Sequence, residues 1–272
     1  GRGIGSTQLP HSEGWHMTLV ITVAGHKGGI GKSTTTLAFA GAVLAQKRTC
    51  LLVDLDPQAT ITQLLLPNVS VLDDLGPRQT AEALEYGAPL TQVIMDVPGM
   101  KGLQLIPARP DMKLQDPHLT LPLDQAKVDV VLCDTAPDTR SPPTMAALLS
   151  SHAVITPTTA EFVSMCTLPI TMASLSKAMA MNSALVHLGY LITRYDQREL
   201  AQKECETLLR RTHGRQVLQT VTPASAEFGQ ANSCRQPVEQ YKPKGKAAKA
   251  VRAAWEEIID RASDHFSKRR AG

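Results

Sequence analysis

Apolar and polar positions along this chain fall into blocks whose period switches back and forth. Leu19–Gly25 (LVITVAG) is a short β-branched run closed by glycine, the pattern of a buried strand. The next block, KSTTTLAFAGAVLAQKR, has helical apolar spacing and a basic end that suits a helix C-terminus. TCLLVDLD reads as a second strand, GLQLIPA as a third and VDVVLCD as a fourth, the second and fourth ending in carboxylates. HAVITPT and ALVHLGYLIT read as two more strands, with one Met/Ala/Leu-rich helix over Phe162–Met181 between them. ELAQKECETLLRRTHG reads as a helix closed by glycine, QVLQTVTP as a last strand, and AAKAVRAAWEEIIDRASDHF as a long amphipathic helix. Nearly continuous apolar strands alternating with helices predict an α/β fold, a mainly parallel twisted sheet with helices on both faces. With no internal repeat and no linker, residues 17–272 read as one domain. The opening GRGIGSTQLPHSEGWH lacks the apolar stretch of a signal peptide, and residues 1–16 read as an expression-tag remnant or a disordered arm.

Candidate chemistry sits where the first strand meets the first helix, in HKGGIGKSTTT. Gly28, Gly29 and Gly31 allow a backbone curl that points consecutive N–H groups at a phosphate, and the helix starting near Lys32 adds its dipole. Lys32 suits the β- and γ-phosphates, and the Ser33 hydroxyl suits Mg²⁺. A strand before and a helix after are the context this motif needs, so a P-loop nucleotide site is expected over Gly28, Gly29, Ile30, Gly31, Lys32, Ser33 and Thr34. The general loop opens with glycine where this chain has His26. Lys27, ahead of the glycines, is a second lysine that phosphate binding alone does not require.

KGGIGKSTTT resembles the deviant Walker A motif of the ParA/MinD family of P-loop ATPases. LLVDLDPQATIT resembles that family's D-x-D-P-Q signature, and VDVVLCDTAP its Walker B strand. The likeness runs on through VITPTTAEF, GYLITRYDQREL and ANSCRQPVEQYKPKGKAAKAV, from Met17 to about Glu257, and is closest to ParA-type partition ATPases without an N-terminal DNA-binding domain. It implies an ATP- and Mg²⁺-dependent homodimer in which Lys27 reaches the partner's nucleotide, as an arginine finger does. It also implies that Asp56 orients the attacking water, that Asp54 and Asp134 help hold the Mg²⁺ water shell, and that Pro223 lies in the adenine-contacting loop. Ser225 stands where the family usually has asparagine. The implied activity is a weak, cytoplasmic, nucleoid-associated ATPase that binds nonspecific double-stranded DNA and is stimulated by a ParB-like partner.

Composition changes this picture little; charge placement changes it more. The chain of 272 residues is 43% hydrophobic and 19% charged, so it can build a sizeable core, and its 4% aromatics leave that core to aliphatic side chains. Five scattered cysteines without a C-x-x-C argue against a disulfide framework or a zinc site. Continuous apolar runs fall short of the roughly 18 residues of a membrane span. The formal charge of +3 is modest, but YKPKGKAAKAVR gathers Lys242, Lys244, Lys246, Lys249 and Arg252 with no acid among them. These residues and Arg198 form a candidate DNA face, which Arg210, Arg211 and Arg215 would extend. Ala224 and Glu227 stand where many relatives carry DNA-contacting arginines, and Glu227 would repel phosphate. Three rivals are weighed: a ParA-like ATPase carrying protein cargo, a MinD-like membrane ATPase, and a metabolic P-loop enzyme such as an iron-protein reductase or an ATP-dependent carboxylate ligase. Glu256, Glu257, Asp260 and Asp264 on the last helix oppose an anionic membrane, although Val251, Trp255, Ile258, Ile259, Ala262 and Phe266 share a face followed by Lys268, Arg269 and Arg270. Cys133 and Cys166 lack the glycine-rich setting of an Fe–S bridge.

Overall fold

A computed structural model of the chain describes residues 18–68, 76 and 80–271. The segment 1–16 lies outside the described residues. In chain order β1 (Leu19–Val23) leads through the glycine loop to α1 (Lys32–Ala45), then β2 (Cys50–Leu55) and α2 (Thr60–Leu65). Short helices α3 (Glu82–Glu85) and α4 (Leu90–Val93) precede β3 (Met95–Asp96) and β4 (Leu103–Ile106). Then come β5 (Val130–Thr135), α5 (Pro142–Leu149), β6 (Ala153–Thr159), α6 (Phe162–Cys166) and α7 (Leu168–Met181). The chain continues with β7 (Val186–Tyr195), α8 (Leu200–His213), β8 (Val217–Pro223), α9 (Ala226–Ser233), α10 (Val238–Tyr241) and α11 (Lys246–Ala271).

The eight strands form one sheet in the order β3-β4-β2-β5-β1-β6-β7-β8, parallel except at the β3–β4 pair. Both faces are covered. Leu19, Ile21, Cys50, Leu52, Val130 and Leu132 pack with α1 and α11, while the alternate positions Val20, Leu51, Val53, Val131 and Cys133 pack on the opposite side with α5. That alternation explains why the strands read as unbroken apolar runs. Parallel strands share one C-terminal edge, where loops after β1, β2 and β5 meet at the middle of the sheet. Strand register places Asp134 beside both Val23 and Asp54.

α11 closes one layer. Val251, Trp255, Ile258, Ile259 and Ala262 are buried, with the Trp255 ring 5.4 Å from that of Phe39, so the apolar face that a membrane would need is committed to the core. Two expectations need correction. The Phe162–Met181 helix is two helices broken at Thr167, because Pro169 cannot donate to the Met165 carbonyl and starts a new helix instead. The same segment has a mean hydropathy of 1.2, long and apolar enough by length and composition to span a bilayer. Interspersed Ser, Thr and Lys177 hide this from a search for continuous apolar runs. Leu168, Thr171, Leu175 and Ala178 are buried against the rest of the chain. The short antiparallel strand β3 has no counterpart in the apolar pattern, since two residues are too few to show a period.

Candidate functional site

The glycine loop is built by left-handed backbone at Gly29 (φ 76°) and Gly31 (φ 87°), a conformation that L side chains resist. Gly31 caps α1, and its carbonyl accepts from Thr35 N at 2.8 Å, so the first turn of the helix closes directly on the loop. The loop opens onto a cavity of about 680 Å³. Gly28, Gly29, Gly31, Lys32, Ser33 and Thr34 line it, together with Asp56 and Pro223. Ile30 belongs to the loop only through its backbone. Its side chain is buried, and its carbonyl accepts from Thr193 Oγ1 at 2.8 Å.

The two lysines go to different places. Lys32 is buried, its ammonium donating to the Lys27 carbonyl at 2.9 Å. Burial lowers its pKa while Asp134 and Asp56 pull it back up. Lys27 does not line the cavity of its own chain. Its ammonium donates to Ser164 Oγ at 2.8 Å and to Glu161 Oε2 at 3.3 Å.

The three aspartates also separate. Asp56 lines the cavity, its Oδ1 accepting from Gln58 N at 2.9 Å. Asp54 is fully buried with both oxygens occupied: Oδ1 accepts from Asp56 N, and Oδ2 from Thr62 N and Thr62 Oγ1 at 2.9 and 2.7 Å. Asp134 Oδ1 accepts from Thr36 Oγ1 at a long 3.3 Å, and its buried Oδ2 has no hydrogen-bond partner. Burial, and then the neighbouring Asp54 carboxylate, push the Asp134 pKa up, while Ser33 and Lys32 favour its charged form. An orphaned carboxylate oxygen near a hydroxyl and short of positive charge is a fitting place for a hard divalent cation. Asp54 also fixes the backbone that carries Asp56, its Oδ1 accepting a single bond from Asp56 N.

Pro223 is joined in the cavity lining by Phe228 and Asn232, one helical turn apart on α9. They supply an apolar face and a carboxamide suited to a heterocyclic base. Ser225 caps α9 by accepting from Glu227 N, a role that explains a serine there. Sequence reasoning missed Phe228, Asn232, Thr193 and Arg194. The left-handed φ of 53° at Arg194 and its 3.0 Å bond to the Gly29 carbonyl arise only in three dimensions.

A model of the CobQ/CobB/MinD/ParA nucleotide binding domain matches residues 21–238. The chain belongs to that family. It is 32% identical over 252 residues to the chromosome-partitioning ATPase Soj of Thermus thermophilus, across 90% of this chain and 96% of that protein. Its fold is similar to that of the septum site-determining protein MinD of Pyrococcus horikoshii in complex with Mg-ADP (TM-score 0.69, 23% identity, 89% of this chain and 96% of that one). It is also similar to a Borrelia burgdorferi putative plasmid partition protein bound to AMPPNP (TM-score 0.71, 23% identity, 91% and 99%).

The basic stretch of this CobQ/CobB/MinD/ParA-family chain is less free than its sequence reads. Lys242 pairs with Glu227 at 2.9 Å, Arg252 with the buried Glu239, and Arg198 with Asp196 at 2.7 Å. Acids shortly before the run, Glu227 and Glu239, thus temper a stretch that contains none. Glu227 also accepts from Ala247 N at the start of α11, a helix-terminus role that accounts for a carboxylate there. Arg210 is spent on Glu206 and on the Leu218 and Gln219 carbonyls. Lys244, Lys246 and Lys249 are exposed and take part in none of the ion pairs among the described residues.

Proposed function

We propose that this chain is a weak ATPase that dimerises on ATP and Mg²⁺, binds nonspecific duplex DNA as the dimer, and lets go after hydrolysis. With a ParB-like stimulating partner, the cycle would drive DNA segregation in the cytoplasm on the nucleoid. The observation that carries the reading is the split between the two lysines: Lys32 lies inside the cavity, while Lys27 stands outside it with its charge directed elsewhere. A cation at the edge of the site can complete a second subunit's pocket, which makes ATP binding and dimerisation one event. The likeness to Soj supports partition as the cellular task.

In this reading the Gly28–Gly31 amides and Lys32 hold the phosphates, and Pro223, Phe228 and Asn232 hold the base. Ser33 would hold magnesium, with Asp54 and Asp134 helping to hold its water shell, and the ion would supply positive charge against the phosphates. Asp56 orients the water, held in place by its own backbone bond to Asp54. Lys244, Lys246 and Lys249 carry most of the phosphate-backbone contact, with Lys242, Arg252 and Arg198 contributing what their acid partners leave.

The deciding experiment is duplex-DNA binding with ATP, with ADP and without nucleotide, at two salt concentrations. Salt-sensitive binding with ATP alone is expected. Binding that ignores nucleotide, or no binding in any state, refutes the switch. A protein cargo in place of DNA would leave DNA binding intact and remove any dependence of segregation on this chain.

A further inference from the structure

Glu227 is an acid set against the lysines of the basic stretch, and both of its carboxylate oxygens are engaged there. Oε1 pairs with Lys242 at 2.9 Å, and Oε2 accepts from Ala247 N at 2.9 Å, at the start of α11. Gly245 lies between those partners in the chain, and a Cβ on it would stand only 2.7 and 2.9 Å from the two oxygens. Glycine is therefore what lets the stretch close onto the carboxylate. Glu227 is carried by α9, and the next residue, Phe228, lines the nucleotide cavity with Gly229 and Asn232. Successive helical residues point about 100° apart, so one short helix turns Glu227 to the lysines and Phe228 to the cavity. α9 is lightly held: of its eight residues only Ala231 is buried. An element with so little buried surface shifts at low cost.

We propose that Glu227 is an autoinhibitory contact: in the empty chain it occupies Lys242 and pins the start of α11, and a base seated on Phe228 and Asn232 draws α9 away from both. The inference rests on the reading that the cavity holds an adenine nucleotide and that the basic stretch meets DNA. Little movement is needed. A contact of 2.9 Å stops being a hydrogen bond once it opens to about 3.6 Å, which a small rotation of α9 achieves. Lys242 then joins Lys244, Lys246 and Lys249 in facing DNA phosphates. ADP and ATP carry the same base, so either one lifts the restraint, and the choice between them stays with dimerisation. The contact therefore has a task of its own, which is to keep the empty chain off DNA.

The test has two readouts. In the first, no DNA is present: an amine-acylating reagent is applied to the empty chain, to the Mg-ADP form and to the Mg-AMPPNP form, and Lys242 and Lys244 are followed by peptide mass spectrometry. In the empty chain Lys242 is expected to react about threefold more slowly than Lys244, and about threefold faster with either nucleotide, with Lys244 unmoved. In Glu227→Gln, which keeps an acceptor for Ala247 N, Lys242 should show the faster rate with and without nucleotide. A Lys242 rate that Glu227→Gln leaves unchanged overturns the proposal. Calorimetry on the same samples separates it from the reading beneath it. Nucleotide binding without a response at Lys242 overturns the restraint alone, whereas no binding overturns the nucleotide site and the restraint with it. In the second readout, Glu227→Gln is expected to raise duplex affinity at low salt about fivefold in the empty chain and about twofold with ATP, where the acid has left Lys242 but still stands near the face. An equal gain in the two states overturns the coupling.

Discussion

The glycine loop and the α10–α11 stretch are both lysine-rich, yet their charges are handled in opposite ways. In the loop, each cation has one address: Lys32 on the Lys27 carbonyl within the cavity, Lys27 on Ser164 and Glu161 outside it. On the basic stretch, charges are solvated or share a carboxylate, and only Lys244, Lys246 and Lys249 stand outside the ion pairs described. A partly buried charge with fixed partners acts as an individual, and its loss is felt in full. Exposed charges act as a sum, screened by salt and individually replaceable.

Breaking the loop side of that contrast gives the largest effects. Asp56→Ala is expected to lower the hydrolysis rate by about 10²–10⁴-fold in a phosphate-release assay while ATP binding persists and the dimer accumulates. Lost nucleotide binding would instead make Asp56 part of the pocket wall. Lys32→Ala should weaken ATP binding by about 100-fold, read by calorimetry, because a charge-assisted contact to phosphate is worth about 1.5–3 kcal/mol. Unchanged affinity would end the P-loop assignment.

Breaking the basic side should cost less and depend on salt. Lys244→Ala combined with Lys246→Ala is expected to weaken ATP-dependent DNA binding about tenfold at low salt and to flatten the log–log salt slope by about 2. A preserved slope would move the DNA face to another surface.

Two smaller effects sharpen the comparison. Burial raises the Asp134 pKa in the folded chain above its unfolded value, so the fold favours the protonated acid. Its charge therefore costs nothing below the unfolded pKa and increasingly destabilises the nucleotide-free chain as pH rises above it. Asp134→Asn, which can still accept from Thr36, should stabilise that state by about 1 kcal/mol at pH 8 and by almost nothing at pH 4, measured by urea unfolding. Equal effects at the two pH values would refute an uncompensated charge. Glu227→Gln should raise DNA affinity about twofold at low salt by freeing Lys242, with a cost of a few tenths of a kcal/mol from the weakened start of α11. A fall in affinity would mean that Glu227 matters to the face chiefly by holding α11 in place.

Much of this molecule is decided within single elements. The order of strands and helices, the glycine curl before α1, the carboxylates closing β2 and β5, and the apolar face of α11 all follow from spacings of a few residues. Backbone geometry reads such spacings locally. That is why the fold, the phosphate loop and the location of Asp54, Asp56 and Asp134 at one sheet edge are legible before any coordinates. Assembly of the sheet settled the rest. It turned Asp54 onto Thr62, left Asp134 with an orphaned oxygen, brought Phe228 and Asn232 beside Pro223, and set Arg194 over Gly29. It also paired Lys242 with Glu227 and gave Lys27 its two acceptors, unions of residues far apart in the chain. Local sequence fixes which groups a strand end presents. Which of them meet, and which charges are thereby spent, depends on the order in which the strands lie side by side.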